Sequence, residues 1–281
     1  MITSTPPSWS AARLDEALAT SRSEQRAALS VYLPVGYPSR IVSRDTLHLV
    51  ARHADILELG IPHTDSHLDG PVMQQASEQA LAEGFQMIDL FTVATELAAS
   101  TSAALLVTSS WNPIENFGPE LFAELLAVAG GAAVLIPDLP EHAAATWHWT
   151  SREAGLHTIP YIPAHASTAR LVEITSASSG MVYAPATPGR TGARRPLSPH
   201  LPRLVRRLGT ATDLPVAVGI GISSPDQAAR AAAYADAVAV GSAVVRHMLT
   251  WPNAPDLAAA GAAKAFADGV RRASSSTRRP T

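Results

Sequence analysis

Three carboxylates crowd one short stretch, LELGIPHTDSHLDGP (57–71), and no Lys or Arg stands among them. Glu58 lies inside an otherwise apolar, strand-like run. Turned inward, it would be desolvated, its pKa would rise, and it would suit proton transfer. Turned outward, it would be an ordinary solvated strand residue. Asp69 precedes Gly70-Pro71, so it is either a turn former or helix cap, or a group presented by a shaped loop. Two carboxylates in unlike environments can hold different protonation states at one pH. Asp65 is the third. The same stretch also reads His63-x-Asp65-x-His67-x-Asp69. Fully extended, those four side chains would share one face, as metal ligands do. Gly60, Pro62, Gly70 and Pro71 argue instead for a loop, so no metal is expected.

A second kind of chemistry is written in glycine. Gly219-Ile220-Gly221-Ile222-Ser223 and Gly241-Ser242 each put small residues where a helix would begin. Exposed backbone N–H groups and the helix dipole bind anions there, phosphate above all. Close helix–strand packing is the plainer explanation of either pair alone. Between these and the carboxylates lies APATPGRTGARRPLSP (184–199), rich in Gly, Pro and Thr. It fits a lid, with Arg190, Arg194 and Arg195 available to an anion, or an ordinary surface loop.

These groups need a scaffold that brings distant segments together. Eight short apolar runs recur: 29–33, 55–59, 103–108, 132–137, 157–162, 180–184, 214–218 and 236–240. None alternates strictly, as expected of parallel strands buried on both faces. Helix-like stretches follow at 43–54, 71–84, 119–130, 223–235 and 242–250, several opening on Ser, Asp or Pro. Eight similar units favour one closed (β/α)8 barrel over a doubly wound open sheet. Residues 10–28 would add an N-terminal helix plugging the bottom. One domain would span 1–270, and the basic, Ser-rich end 271–281 would be a frayed tail. In such a barrel the chemistry lies at the C-terminal ends of the strands, with phosphate after strands 7 and 8. The candidate residues fall there.

Composition agrees. The chain has 281 residues and is 47% hydrophobic, enough for a sizeable core. A net charge of −3 gives no sign of a general nucleic-acid or membrane-surface binder. With no cysteine, disulfides, thiolate catalysis and iron–sulfur clusters are excluded. The longest apolar stretch, 126–137, is too short to span a bilayer and is broken by Gly130 and Gly131. The start carries no basic-then-apolar leader, so a cytoplasmic location is expected.

Taken together, the residues resemble the tryptophan synthase α subunit family over roughly 20–250. LELGIPHTDSHLDGP is similar to that family's signature, with the spacing of Glu58, Asp65 and Asp69 intact. YLPVGYPS, WNPI, IPDLP, GRTGAR, GIGISSPDQ and AVGSAVV match in order and interval. The resemblance implies retro-aldol cleavage of indole-3-glycerol phosphate to indole and glyceraldehyde 3-phosphate, without a cofactor. It implies that Glu58 is the acid–base residue and that Asp69 holds the indole N–H. Tyr183 would line the indole site, and Thr191 would belong to the lid and orient Asp69. Gly192, Gly221, Gly241 and Ser242 would bind phosphate. Asp65 would serve communication with a β subunit, the implied partner in an α2β2 complex.

Departures gather at the loop and lid: His63, Ser66, His67, Thr187, Arg190 and Ile220 stand where the family usually has other residues. Three readings stay open from sequence: a conventional α subunit, a divergent enzyme releasing free indole alone, or a non-catalytic regulator of a β-type subunit.

Overall fold

A computed structural model describes residues 10–64, 69–187, 189–192 and 196–273. Its strands are β1 (Ala28–Pro34), β2 (Ile56–Gly60), β3 (Ala104–Thr108), β4 (Ala133–Leu135), β5 (His157–Ile159), β6 (Val182–Pro185), β7 (Val216–Gly219) and β8 (Ala237–Val240). All pair in parallel, in the order β5-β4-β3-β2-β1-β8-β7-β6. The ring closes just beyond β5. There Ile162 N–H donates to Tyr183 O at 2.8 Å and Tyr183 N–H donates to Pro160 O at 3.0 Å. β4 and β5 are shorter than their apolar runs because Pro137 and Pro160 lack the N–H a ladder needs. The result is the expected (β/α)8 barrel.

Side chains alternate between two cores, as the pleat dictates. One set, including Leu57, Leu59, Leu105 and Val107, faces the surrounding helices. The other, including Ala28, Ile56, Leu106, Leu135, Ile159, Met181, Ala217 and Ala237, fills the barrel. Both faces of each strand are buried, which is why the runs lack alternation.

An N-terminal helix, α1 (Ser10–Ser23), closes the bottom by burying Leu14 and Leu18 among the barrel-filling residues. Arg13 donates to Ala98 O at 3.1 Å and also to Thr101 O, and Ser10 Oγ donates to Ala127 O at 3.1 Å. These bonds tie α1 to the outer shell. It ends at Ser23, and a turn with left-handed backbone at Gln25, φ 56°, leads into β1 at Ala28. At the other end of the chain, α12 (Pro255–Arg272) includes Arg271 and Arg272, which the sequence placed in a tail. Both pair with carboxylates, Arg271 with Asp268 and Arg272 with Asp226, and basic groups suit a helix's last turn. Residues 274–281 lie outside the described residues.

The outer shell also holds α2 (Arg40–Ala51), α4 (Met87–Ser100), α6 (Pro119–Val128), α7 (Glu141–Glu153), α8 (Thr168–Ser176) and α9 (Leu201–Ala211). The helices that bear on the site are α3 (Pro71–Ala82), α5 (Trp111–Phe117), α10 (Pro225–Ala232) and α11 (Ser242–Thr250). Each follows directly from a strand's C-terminal loop. Among the described residues, no helix is long and apolar enough to cross a membrane.

Candidate active site

Glu58 sits on β2 beside Tyr32 of β1 and Leu106 of β3 in the ladder. Its side chain points into the barrel, and only 2% of the residue is exposed. The Ser30 hydroxyl donates to Oε1 at 2.7 Å and the Thr108 hydroxyl donates to Oε2 at 3.3 Å. Burial disfavours the charged form and raises the pKa from 4.5 to about 7, while the two hydroxyls pull it part of the way down. At neutral pH the carboxyl therefore populates both of its forms.

Above Glu58 opens a cavity at the C-terminal end of the barrel. Of the residues singled out from sequence, Glu58, Asp69, Tyr183, Thr191, Gly221, Gly241 and Ser242 all line it. Gly192 borders it, placed so that a side chain there would come within 3.6 Å of Ser242 Oγ. Asp65 lies outside the described residues. Tyr32 and Tyr183 form the cavity's inner wall, and burial raises both phenols well above their usual range. Their rings fit because the neighbouring strands carry glycine. A Cβ on Gly60 would meet the Tyr32 hydroxyl at 2.1 Å, and one on Gly219 would meet that of Tyr183 at 1.9 Å.

The 184–199 segment touches the carboxylate loop. Gly70 N–H donates to Thr191 Oγ1 at 2.9 Å, so the bond falls on the residue next to Asp69, at the start of α3. A Cβ on Gly70 would collide with Thr191 O at 2.1 Å. Only glycine allows this approach. Arg190 is exposed, and Arg194 and Arg195 lie outside the described residues.

The two glycine openings differ from each other. Gly241 caps α11 without a side chain, so the first N–H groups of that helix face the cavity. The loop after β7 is not a helix start. Ser224 caps α10 instead, its hydroxyl accepting from Gln227 N–H at 3.2 Å. The glycine loop before it adopts left-handed backbone, with φ of 55° at Ile220 and 95° at Gly221. Buried Thr187 holds this turn through two bonds to Ile220 O, from its N–H at 3.2 Å and its hydroxyl at 3.3 Å.

The opposite wall carries Ser110 and Asp138, which sequence reasoning did not assign, and His63, which it placed in a metal-like stripe and among the departures from the family. His63 Nδ1 lies 2.8 Å from Ile61 O, so it is protonated and donates there. In the neutral ring Nε2 is then the acceptor for the Ser110 hydroxyl at 2.8 Å. Asp138 accepts from Trp111 N–H at 2.9 Å and so ties the end of β4 to the start of α5. Among the described residues no cluster of three or more His, Asp or Glu could hold a metal. Asp65 and His67 of the candidate stripe are not among them.

This arrangement pairs a buried, proton-sharing carboxyl with a second carboxylate, a ring-sized apolar wall and a set of backbone donors. The model of the tryptophan synthase alpha chain family matches residues 18–270. The chain belongs to that family. It is 42% identical over 247 residues to a tryptophan synthase alpha chain of Streptomyces coelicolor, covering 88% of this chain and 90% of the relative. A tryptophan synthase alpha chain of Nocardia farcinica is 42% identical over 234 residues, covering 83% and 88%. The structure of Mycobacterium tuberculosis tryptophan synthase superposes with a TM-score of 0.85 at 36% identity, covering 92% of this chain and 98% of that one. The tryptophan synthase alpha chain is a lyase that cleaves indole-3-glycerol phosphate to indole and glyceraldehyde 3-phosphate, and that is this chain's activity.

Proposed function

We propose that Glu58 and Asp69 carry this lyase reaction, Glu58 as the proton-transfer group and Asp69 as the acceptor of the indole N–H. The observation that carries the proposal is the buried Glu58 carboxyl, whose pKa of about 7 lets it both give and take a proton in one cycle. Protonation at indole C3 makes the ring an electron acceptor, with positive charge shared onto the ring nitrogen beside Asp69. Loss of the proton from the hydroxyl on the adjoining carbon drives formation of the aldehyde C=O. The carbon–carbon bond then breaks, and its electron pair returns to the ring to restore aromaticity. The net change moves one proton from oxygen to carbon. Protonated indole is its own electron sink, so the step needs no cofactor.

Tyr183 packs against the ring. Backbone N–H groups at Gly192, Gly221, Gly241 and Ser242 hold the phosphate, with the α11 dipole behind them. Thr191 keeps the lid segment on Gly70 and so shelters the reacting atoms from water.

The protein acts in the cytoplasm with a β subunit, in an α2β2 complex, and Asp65 serves communication with it. Solved relatives are tryptophan synthases, which supports this partner. A second reading, turnover without a β subunit, is favoured by the Thr191–Gly70 contact, which this chain makes within itself. Indole release from indole-3-glycerol phosphate, with and without a β subunit, separates the two. Slow release that rises with the partner supports the first, and fast release alone supports the second. Glu58→Gln should lower kcat by about 10²–10⁴-fold. A variant with near-normal kcat refutes the assignment of Glu58.

A further inference from the structure

In an eight-stranded ring, β3 and β4 stand across the barrel from β7 and β8. The reading of the site given above, on which this inference rests, holds the phosphate at the ends of β7 and β8. The indole then extends toward the ends of β3 and β4. Its six-membered ring would then meet Ser110 and His63, which line the same cavity as Glu58 and Asp69.

Ordinary indole has only C–H bonds along that edge. Its single polar atom, the ring nitrogen, is already matched by Asp69. Yet the wall it would face is polar and directional. Ile61 O fixes the proton of the neutral His63 ring on Nδ1, leaving Nε2 as an acceptor. The Ser110 hydroxyl spends its only hydrogen on that nitrogen. What Ser110 then presents to the cavity is an oxygen with free acceptor capacity and no proton to give. Such a group recognises a donor on the ligand. Against a plain C–H edge it would lose its water and gain nothing.

We propose that Ser110, oriented by His63, is a specificity-determining residue for an indole-3-glycerol phosphate carrying a hydroxyl or amino group on its six-membered ring. The donor substituent bonds Ser110 Oγ and completes the chain Ile61 O, His63, Ser110, ligand.

The test compares kcat/KM for indole-3-glycerol phosphate with that for its ring-hydroxylated isomers. Wild type should favour at least one isomer by roughly tenfold, the worth of one well-placed hydrogen bond. Ser110→Ala should erase the preference, and His63→Phe, which frees the hydroxyl to rotate, should weaken it. Equal kcat/KM for all substrates in wild type overturns the proposal, as does a preference that survives Ser110→Ala. Calorimetry with uncleavable indole-3-propyl phosphate and its hydroxylated isomers keeps the proposal separate from the catalytic reading. Loss of cleavage for every substrate sinks the lyase assignment of the site. Tighter binding of one hydroxylated isomer, lost in Ser110→Ala, would still support the Ser110 contact, and equal affinities would refute it.

Discussion

Replacing Glu58 with Gln should make the protein more stable in alkaline solution while disabling it. The carboxyl is buried in the folded barrel and its pKa rises from 4.5 to about 7. In the unfolded chain it ionises freely near its ordinary value. Between those two pH values the folded state holds a proton that the unfolded state has released, so stability falls as pH rises. The contribution is fully present below the unfolded pKa and is lost as pH climbs through the folded one. The difference of about 2.5 pH units amounts to roughly 3 kcal/mol, a large share of a domain's net stability. Gln is nearly isosteric, accepts from one of the two hydroxyls through its carbonyl oxygen while its NH2 donates to the other, and does not ionise. Guanidinium unfolding, followed by tryptophan fluorescence at several pH values, measures the effect. Buried Trp147 and Trp111 report loss of the core. The stability of the Glu58→Gln variant minus that of wild type should grow by about 3 kcal/mol from about pH 4.5 to above pH 8. Other groups titrate in both proteins and cancel. A difference that stays flat across this range would refute the view that burial perturbs Glu58.

Ser30→Ala removes a donor to the charged form of Glu58, so the ionisation governing kcat should move up by about one pH unit; the pH–rate profile reads it. Gly221→Ala places a Cβ 2.0 Å from Thr187 Oγ1 at a φ of 95°. It should raise KM for the phosphate-bearing substrate and cost on the order of 1–3 kcal/mol of stability, measurable by steady-state kinetics and denaturant unfolding. Gly219→Ala should push the Tyr183 ring toward the cavity and lower kcat/KM more than it lowers Tm.

Much of the barrel was legible because its signals are local. Each strand is a short apolar run, and each run is followed by a segment with helix-start chemistry. Glu58 stood out as one charge in an apolar stretch. Ser30 carries the same signal, a polar residue inside LSVYL, but a lone serine in a short apolar run points to nothing beyond a strand. Tyr32 could not be told from core, since an aromatic in a buried strand is what packing alone would choose. The Ser110–His63 bond joins residues 47 positions apart, and only the closure of β2 against β3 creates it. The glycines after β7 look like a helix start from sequence because they are small and directly precede the helix-like stretch at 223–235. The structure puts the cap at Ser224 and leaves the glycines in a left-handed turn.

The helix beneath the barrel reaches further than its position suggests. Leu14 and Leu18 pack with Ile56, one strand layer below Glu58. They act as a watertight floor. The high proton affinity of Glu58 depends on dryness, and dryness is a property of the whole lumen, not of the carboxyl's nearest neighbours. A change at Leu14 that lets water rise through the bottom would return Glu58 toward an ordinary, permanently charged acid. The first segment of the chain thus sets the acidity of a group it never touches, and mutations that slow the enzyme need not lie anywhere near its mouth.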